Sequence, residues 1–290
     1  MYNLRYHIAS LVAVFLALSI GLLLGTVVAE RGMITDQSSA LIGDLQRRFD
    51  EINAANEELR LGVERDSAFA EDVVPLVVAG QLEDRDVVVL VGSGRVDGVD
   101  AATLAITQAG AAPVVVTLDE AVLGLDDTVP AGLASYFEFR GVAMEDPGEA
   151  LVQQVADALV AEWQTGGPQP LIEVLTSAGL LSSDSLLETA TVDAIVIMGP
   201  SGSGLDPFAL ACSEALAASG GIAVAAESSP SGGGVAQAAA AAGIPALDHV
   251  TTPQGRFTLV WLLAGHAVGY FGSGDGAERY YPELTAVEAQ

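Results

Sequence analysis

From Ile8 to Ala29 the chain reads IASLVAVFLALSIGLLLGTVVA, without one charged residue. About 20 apolar residues in a row span the hydrocarbon core of a bilayer as a helix. This run therefore dictates the layout of the rest of the chain. Arg5 and His7 precede it, and Glu30 and Arg31 come after it. The excess of positive charge before the run predicts a single pass of the cell membrane, with the N-terminus cytoplasmic and everything after residue 30 outside. A cleaved signal peptide is the competing reading, since Val27-Val28-Ala29 is a small-residue cleavage site. The run is longer than the roughly 7–15 residues of a signal-peptide core, however, and no lipobox cysteine comes after it. Residues 1–31 are thus expected to be an uncleaved anchor contacting lipid through 8–29. Gly21 and Gly25 form a Gly-x-x-x-Gly that permits close helix packing, although glycine is common in membrane helices of every kind.

Residues 32–74 are polar and helix-favouring. A heptad register places Leu45, Ile52 and Leu59 at a, and Ile34, Leu41 and Ala55 at d, with Arg48 interrupting d and Gly62 marking its fading end. About three heptads are marginal alone, but a membrane anchor would concentrate and align two copies. The pattern predicts a short coiled-coil stalk and a homodimer through Leu41, Leu45, Ile52 and Leu59. The alternative is a single amphipathic helix lying on its own domain.

Beyond Pro75, short apolar runs alternate with helical patterns. Strands are expected at 86–91, 113–118, 193–198 and 222–226, with a short fifth from Pro245. Helices are expected at 99–110, 148–163, 170–180, 207–219, 233–242 and 254–270, and residues 121–146 read as irregular. Strands apolar on both faces and separated by helices belong to a parallel sheet covered on both sides. The expected fold class is α/β: a doubly wound, mainly parallel Rossmann-like or flavodoxin-like domain over 75–272, ending in a flexible acidic tail, 273–290.

Composition removes several functions. The 11 basic residues are all Arg, against 38 acids, for a formal net charge of -27. Without lysine there is neither a P-loop nor a Schiff base. Residues 141–290 hold only Arg256 and Arg279 against 17 acids. Such a surface repels phosphate backbones, so nucleic acid is not an expected partner. Acid-rich surfaces of this kind serve solvation before specific cation binding. The single cysteine, Cys212, excludes an internal disulfide and a thiolate zinc site.

Two glycine-rich turns come directly after strands. Gly199, Ser201, Gly202, Ser203 and Gly204 precede a helix, which is the geometry of an anion cradle. Asp206 beside that helix N-terminus would itself take the positive end of the dipole. Gly92-Ser93-Gly94 opens like a dinucleotide fingerprint, but Asp97 stands where the third glycine belongs. Both read as ordinary strand-to-helix turns. No Gly-x-Ser-x-Gly occurs, and of His7, His249 and His266 only Asp248-His249 could serve a catalytic triad. A loop-terminal histidine is the simpler reading, and the chain is expected not to be an enzyme. For copper, sulfur and imidazole ligands are Met33, Met144, Met198, Cys212, His249 and His266, none at ligand spacing. Met198, Cys212 and His249 are the metal candidates, with Met198 and Cys212 expected as core neighbours. These residues imply no cofactor.

The opening Tyr6-His7-Ile8-Ala9-Ser10-Leu11-Val12-Ala13-Val14-Phe15-Leu16-Ala17-Leu18-Ser19-Ile20-Gly21, with Arg5 and Gly25, resembles the start of the actinobacterial MctB-type copper-transporter family. Gly269-Tyr270-Phe271-Gly272-x-Gly274, then Ala277 and Pro282, resembles its far end, with Phe271 inserted in the usual Gly-Tyr-Gly. The resemblance implies copper homeostasis or transport at the cell envelope, with copper itself entering only through the resemblance. A second branch of the family implies a scaffold that controls cell separation and peptidoglycan hydrolysis with a SteA-type membrane partner. A degenerate Rossmann-like ligand sensor is the remaining alternative. One apolar helix encloses no aqueous path unless several chains assemble, and the alternating ten-residue strands of an outer-membrane barrel do not appear.

Overall fold

The computed structural model describes residues 4–126, 128–184 and 191–283, with the side chains of all of these except 4 and 29–40. It divides into two units, Met1–Asp66 and Ser67–Gln290. The described part of the first lies wholly in helix α1 (Leu4–Val78), which continues into the second. Its segment Arg5–Val28 has a mean hydropathy of 2.7 and no buried residue, long and apolar enough to cross a membrane. Farther along, Leu41, Leu45, Ile52 and Leu59 are each more than half exposed. Ile34 and Met33 lie outside the described side chains.

The second unit is a mixed α/β structure around a mostly parallel sheet. Its strands are β1 (Val87–Val91), β2 (Val114–Leu118), β3 (Leu181–Ser183), β4 (Ala194–Met198), β5 (Ile222–Ala226), β6 (Ala246–Leu247) and β7 (Tyr270–Phe271). They lie in the order β3-β2-β1-β4-β5-β6-β7. All pairings are parallel except β2 with β3. The helices are α2 (Val99–Gln108), α3 (Leu133–Phe139), α4 (Glu149–Thr165), α5 (Pro170–Ser177), α6 (Pro207–Ala218), α7 (Val235–Ala241) and α8 (Pro253–Leu263).

The central strands are buried along their whole length because successive side chains feed two different cores. Val88, Leu90, Ile195 and Ile197 pack with α3 to α7, including Trp163 and Phe208. Val87, Val89, Val91, Val196 and Met198 pack with α2, α8 and Val78 at the end of α1. Arg256 of α8 forms an ion pair with Glu71, so the last turns of α1 belong to this unit.

Four strands fall where the apolar runs place them, the short fifth forms at Ala246–Leu247, and α2, α4 and α6 lie where helices are expected. Some elements differ. The stretch 121–146 contains a 3-10 turn at Ala121–Gly124 and α3. The last helix stops at Leu263 rather than 270, because Gly265 takes φ +76 and the chain turns into β7. Helix α5 ends at Ser177 rather than 180, and Leu181–Ser183 after it forms an antiparallel edge strand that the pattern does not predict. Residues 273–283, expected in a flexible tail, return to the sheet edge. Gly272 N–H donates to Arg279 O and Glu278 N–H to Tyr270 O, so edge backbone groups of β7 find partners there. Residues 284–290 lie outside the described residues.

Candidate functional site

The strand order reverses between β1 and β4, and in open α/β sheets ligands bind beyond the strand ends at such a place. A cleft of about 190 Å³ lies there, lined among others by Gly92, Ser93, Met198, Pro200, Ser203 and Val235. Dedicated small-molecule pockets run from roughly 300 to 1,000 Å³, so a dinucleotide does not fit this one as it stands.

The polar groups at its α6 end are already used. Asp206 is the N-cap of α6, with Pro207 at the first helical position. Its carboxylate accepts from Phe208 N–H at 2.8 Å and Ala209 N–H at 3.4 Å through one oxygen, and from Val122 N–H at 3.0 Å through the other. An anion thus occupies the helix terminus, supplied by the chain itself. The same carboxylate ties down the turn in which Val122 and Leu123 hold left-handed backbone angles, φ 54 and 52, a conformation β-branched and bulky residues rarely adopt. In the glycine-rich turn, Gly202 N–H donates to Ser231 Oγ at 3.1 Å and Ser203 N–H to Pro200 O. Ser203 Oγ donates to Pro200 O at 2.8 Å, while Ser201 is exposed. Ser231 in turn donates to the buried carboxylate of Glu227, which also accepts from Ala236 N–H at the start of α7. The geometry of the Gly199–Gly204 turn is that of a cradle, and its helix terminus is filled from within.

Replacing Asp206 by alanine should therefore destabilise the protein by about 2 kcal/mol, the sum of a lost cap and an orphaned amide. At matched ionic strength, sulfate or phosphate should then stabilise the variant in thermal unfolding more than it stabilises the parent protein. Equal stabilisation of the parent would show that its socket is open.

The metal candidates do not converge. Met198 lies in the core on one face of the sheet and Cys212 in the core on the other. The expectation that they are core neighbours is corrected: consecutive elements place them on opposite faces of β4. Burial pushes the Cys212 thiol far above its ordinary value, so it is an unreactive thiol. Met144 is packed at the rim of the same core as Cys212, and His266 Nε2 lies 2.8 Å from Gln81 Oε1. Among the described residues no group of three His, Cys, Asp or Glu side chains is placed to hold a metal ion.

A second polar cluster lies beyond β6 around Asp248, which the sequence singles out beside His249 but without the partners found here. Asp248 is fully buried, and its carboxylate accepts from Tyr270 OH at 2.8 Å, Ser273 N–H at 3.1 Å and Gly274 N–H at 2.7 Å. Gly272 has φ +148, and a Cβ built there would collide with that carboxylate. The Gly-Tyr-Phe-Gly-x-Gly motif is thereby explained as the receptor for an internal acid. The signal was in the sequence as glycines around a tyrosine, without any indication of the carboxylate they surround. His249, next in the chain, stacks on Tyr280 with ring centroids 4.3 Å apart. Its Nδ1 is 3.4 Å from Asp248 Oδ1, but neither ring nitrogen has a hydrogen-bond partner.

Burial lowers the His249 pKa, with Asp248 opposing the shift. The unfolded chain then takes up the proton first, so stability is complete above about pH 6.5 and declines as pH falls from there towards the depressed folded value. Urea unfolding of the full chain in detergent between pH 8 and pH 5 should show this decline, and His249→Phe should flatten it. An unchanged slope in that variant would assign the decline to carboxylates instead.

No curated protein and no solved structure matches the chain. Across residues 1–282, from the anchor to the return segment that encloses Asp248, it matches one family model, described as copper transport outer membrane protein, MctB. With nearly its whole length covered, from the apolar α1 to the glycine motif around Tyr270, the chain belongs to the MctB family.

Proposed function

We propose that the protein serves copper homeostasis at the cell envelope as a membrane-anchored, non-catalytic accessory. It acts by associating with other proteins, and copper is the cargo of the system rather than a resident of this chain. The observation that carries this reading is one apolar helix among the described residues, Arg5–Val28, on a family member in which Asp206 occupies the helix terminus at the strand-end cleft. In the proposed arrangement the N-terminus is cytoplasmic, and the α/β unit, doubly wound in the Rossmann-like manner, is extracytoplasmic. The stalk joins two copies. A single apolar helix supplies no pore, and the described Met, Cys and His side chains form no relay along which copper would pass.

The test compares cells with and without the protein for copper content and growth in copper. Loss should alter both. The full chain should restore them, and so should chains carrying Met198→Leu or Cys212→Ser. Copper handling that is indifferent to the protein would overturn the reading. Tight Cu(I) binding by the purified chain, lost on Cys212→Ser, would overturn the accessory role.

The exposed apolar residues of α1 favour a second reading, a scaffold for cell separation that works with a SteA-type membrane partner. Unseparated cells with normal copper content on loss of the protein would select it.

A further inference from the structure

On α1, within Met1–Asp66, the exposed apolar side chains do not spread evenly. Beside Leu41, which lies next to this row, Ile42, Leu45, Phe49, Ile52, Leu59 and Val63 are each more than half exposed. They succeed one another at spacings of three, four, three, seven and four, the seven being a break between Ile52 and Leu59. Asn56 fills that break, four residues after Ile52 and three before Leu59. Alternating three and four is the period of a two-helix seam. The register read from Leu41, Leu45, Ile52 and Leu59 places Arg48, Ala55 and Gly62 on the seam. Moving the second seam position by one residue replaces these three with Phe49, Asn56 and Val63.

We infer that this face of α1 pairs with the same face of a second copy of the chain, parallel and in register, and that Asn56 sets the register. The inference rests on the homodimer proposed above and specifies its geometry. In this frame Ile42, Phe49, Asn56 and Val63 occupy a, and Leu45, Ile52 and Leu59 occupy d. Branched residues at a with Leu at d favour two parallel strands, and a single Asn at a fixes register and strand number at some expense of stability. The occupant is a second copy because the seam is self-complementary. Only in a parallel, unshifted pair does each Asn56 amide face another amide, with a donor and an acceptor on each side. Any slip or reversal buries it against Ile, Phe, Val or Leu without a partner, which is costly. Asp66 falls at the next d position and ends the seam where the first unit ends.

Single cysteines placed in the full chain in native membranes test this, since buried Cys212 is shielded from oxidant. Phe49→Cys, Ile52→Cys and Val63→Cys should form disulfide-linked dimers under mild oxidation at least ten times faster than Arg48→Cys, Ala55→Cys or Ala54→Cys. Asn56→Leu should admit a new product between chains labelled at 52 and 59, or an assembly larger than a dimer. Faster cross-linking at 48 and 55 than at 49 and 63 would keep the dimer and overturn this register. Absence of cross-linking at all six positions would overturn the homodimer itself. A register unchanged by Asn56→Leu would remove Asn56 from its role.

Discussion

Asp248→Ala is expected to cost about 4 kcal/mol, a large part of the stability of an ordinary domain. The substitution takes the acceptor from three donors: the buried Tyr270 OH and the part-buried N–H groups of Ser273 and Gly274. Each such orphan costs roughly 1–3 kcal/mol. Water cannot easily replace the carboxylate, since Asp248 and Tyr270 are both buried. Asp248→Asn keeps one acceptor oxygen but turns an NH₂ group towards the remaining donors, and should lose about half as much. Adding Tyr270→Phe to Asp248→Ala removes one orphan and should recover about 1 kcal/mol. Urea unfolding of the full chain in detergent measures all three variants. Amide exchange should show residues 272–279 opening first in Asp248→Ala. A loss below about 1 kcal/mol would mean that the return segment holds without its acid.

Glu162→Ala should be the second most damaging change, at about 3 kcal/mol. Glu162 lies on α4, and its carboxylate accepts from Tyr136 OH at 2.7 Å, Arg140 Nη2 at 2.8 Å and Leu171 N–H at 3.1 Å. It therefore holds α3 against α4 and occupies the N-terminus of α5 at once. Burial first, then Glu162, raises the Tyr136 pKa, so this phenol stays a donor across the physiological range. Arg140 is half-exposed and also lies over the Tyr136 ring at 5.1 Å, so on loss of Glu162 it can turn to water. Tyr136 OH and Leu171 N–H cannot. Tyr136→Phe leaves Glu162 with two donors and should cost only about 1 kcal/mol. Equal losses from both variants would show that the phenol, not the helix terminus, is what Glu162 serves.

The parts of this fold that were readable from the residues are those with a local cause. Val87–Val91 declares a buried strand because five apolar β-formers in succession need both faces covered. Asp206-Pro207 declares a helix start, and even the competition between Asp206 and an external anion can be read from that dipeptide. Strands of two or three residues, such as β3 and β7, carry no period and exist because neighbouring strands accept them. Partnerships across the chain were equally hidden. Glu162 meets Tyr136 from 26 residues away, and Asp248 meets Gly274 from 26 residues away. In so acidic a chain, nothing local distinguishes these two carboxylates from those left in solvent. The separation of Met198 from Cys212 was hidden for another reason: a sheet has two faces, and succession along the chain does not say which one a helix covers.

Asp206, Glu227, Asp248 and Glu162 share one habit: each gives at least one carboxylate oxygen to main-chain N–H groups. Of the four, only Glu162 adds an arginine. Every residue but proline brings a main-chain N–H. A lineage can therefore shed lysine, enrich its exterior in acid, and adapt its hydration to a new medium without re-engineering what holds the interior together. The scarcity of cations in this protein thus constrains its partners far more than it constrains its architecture.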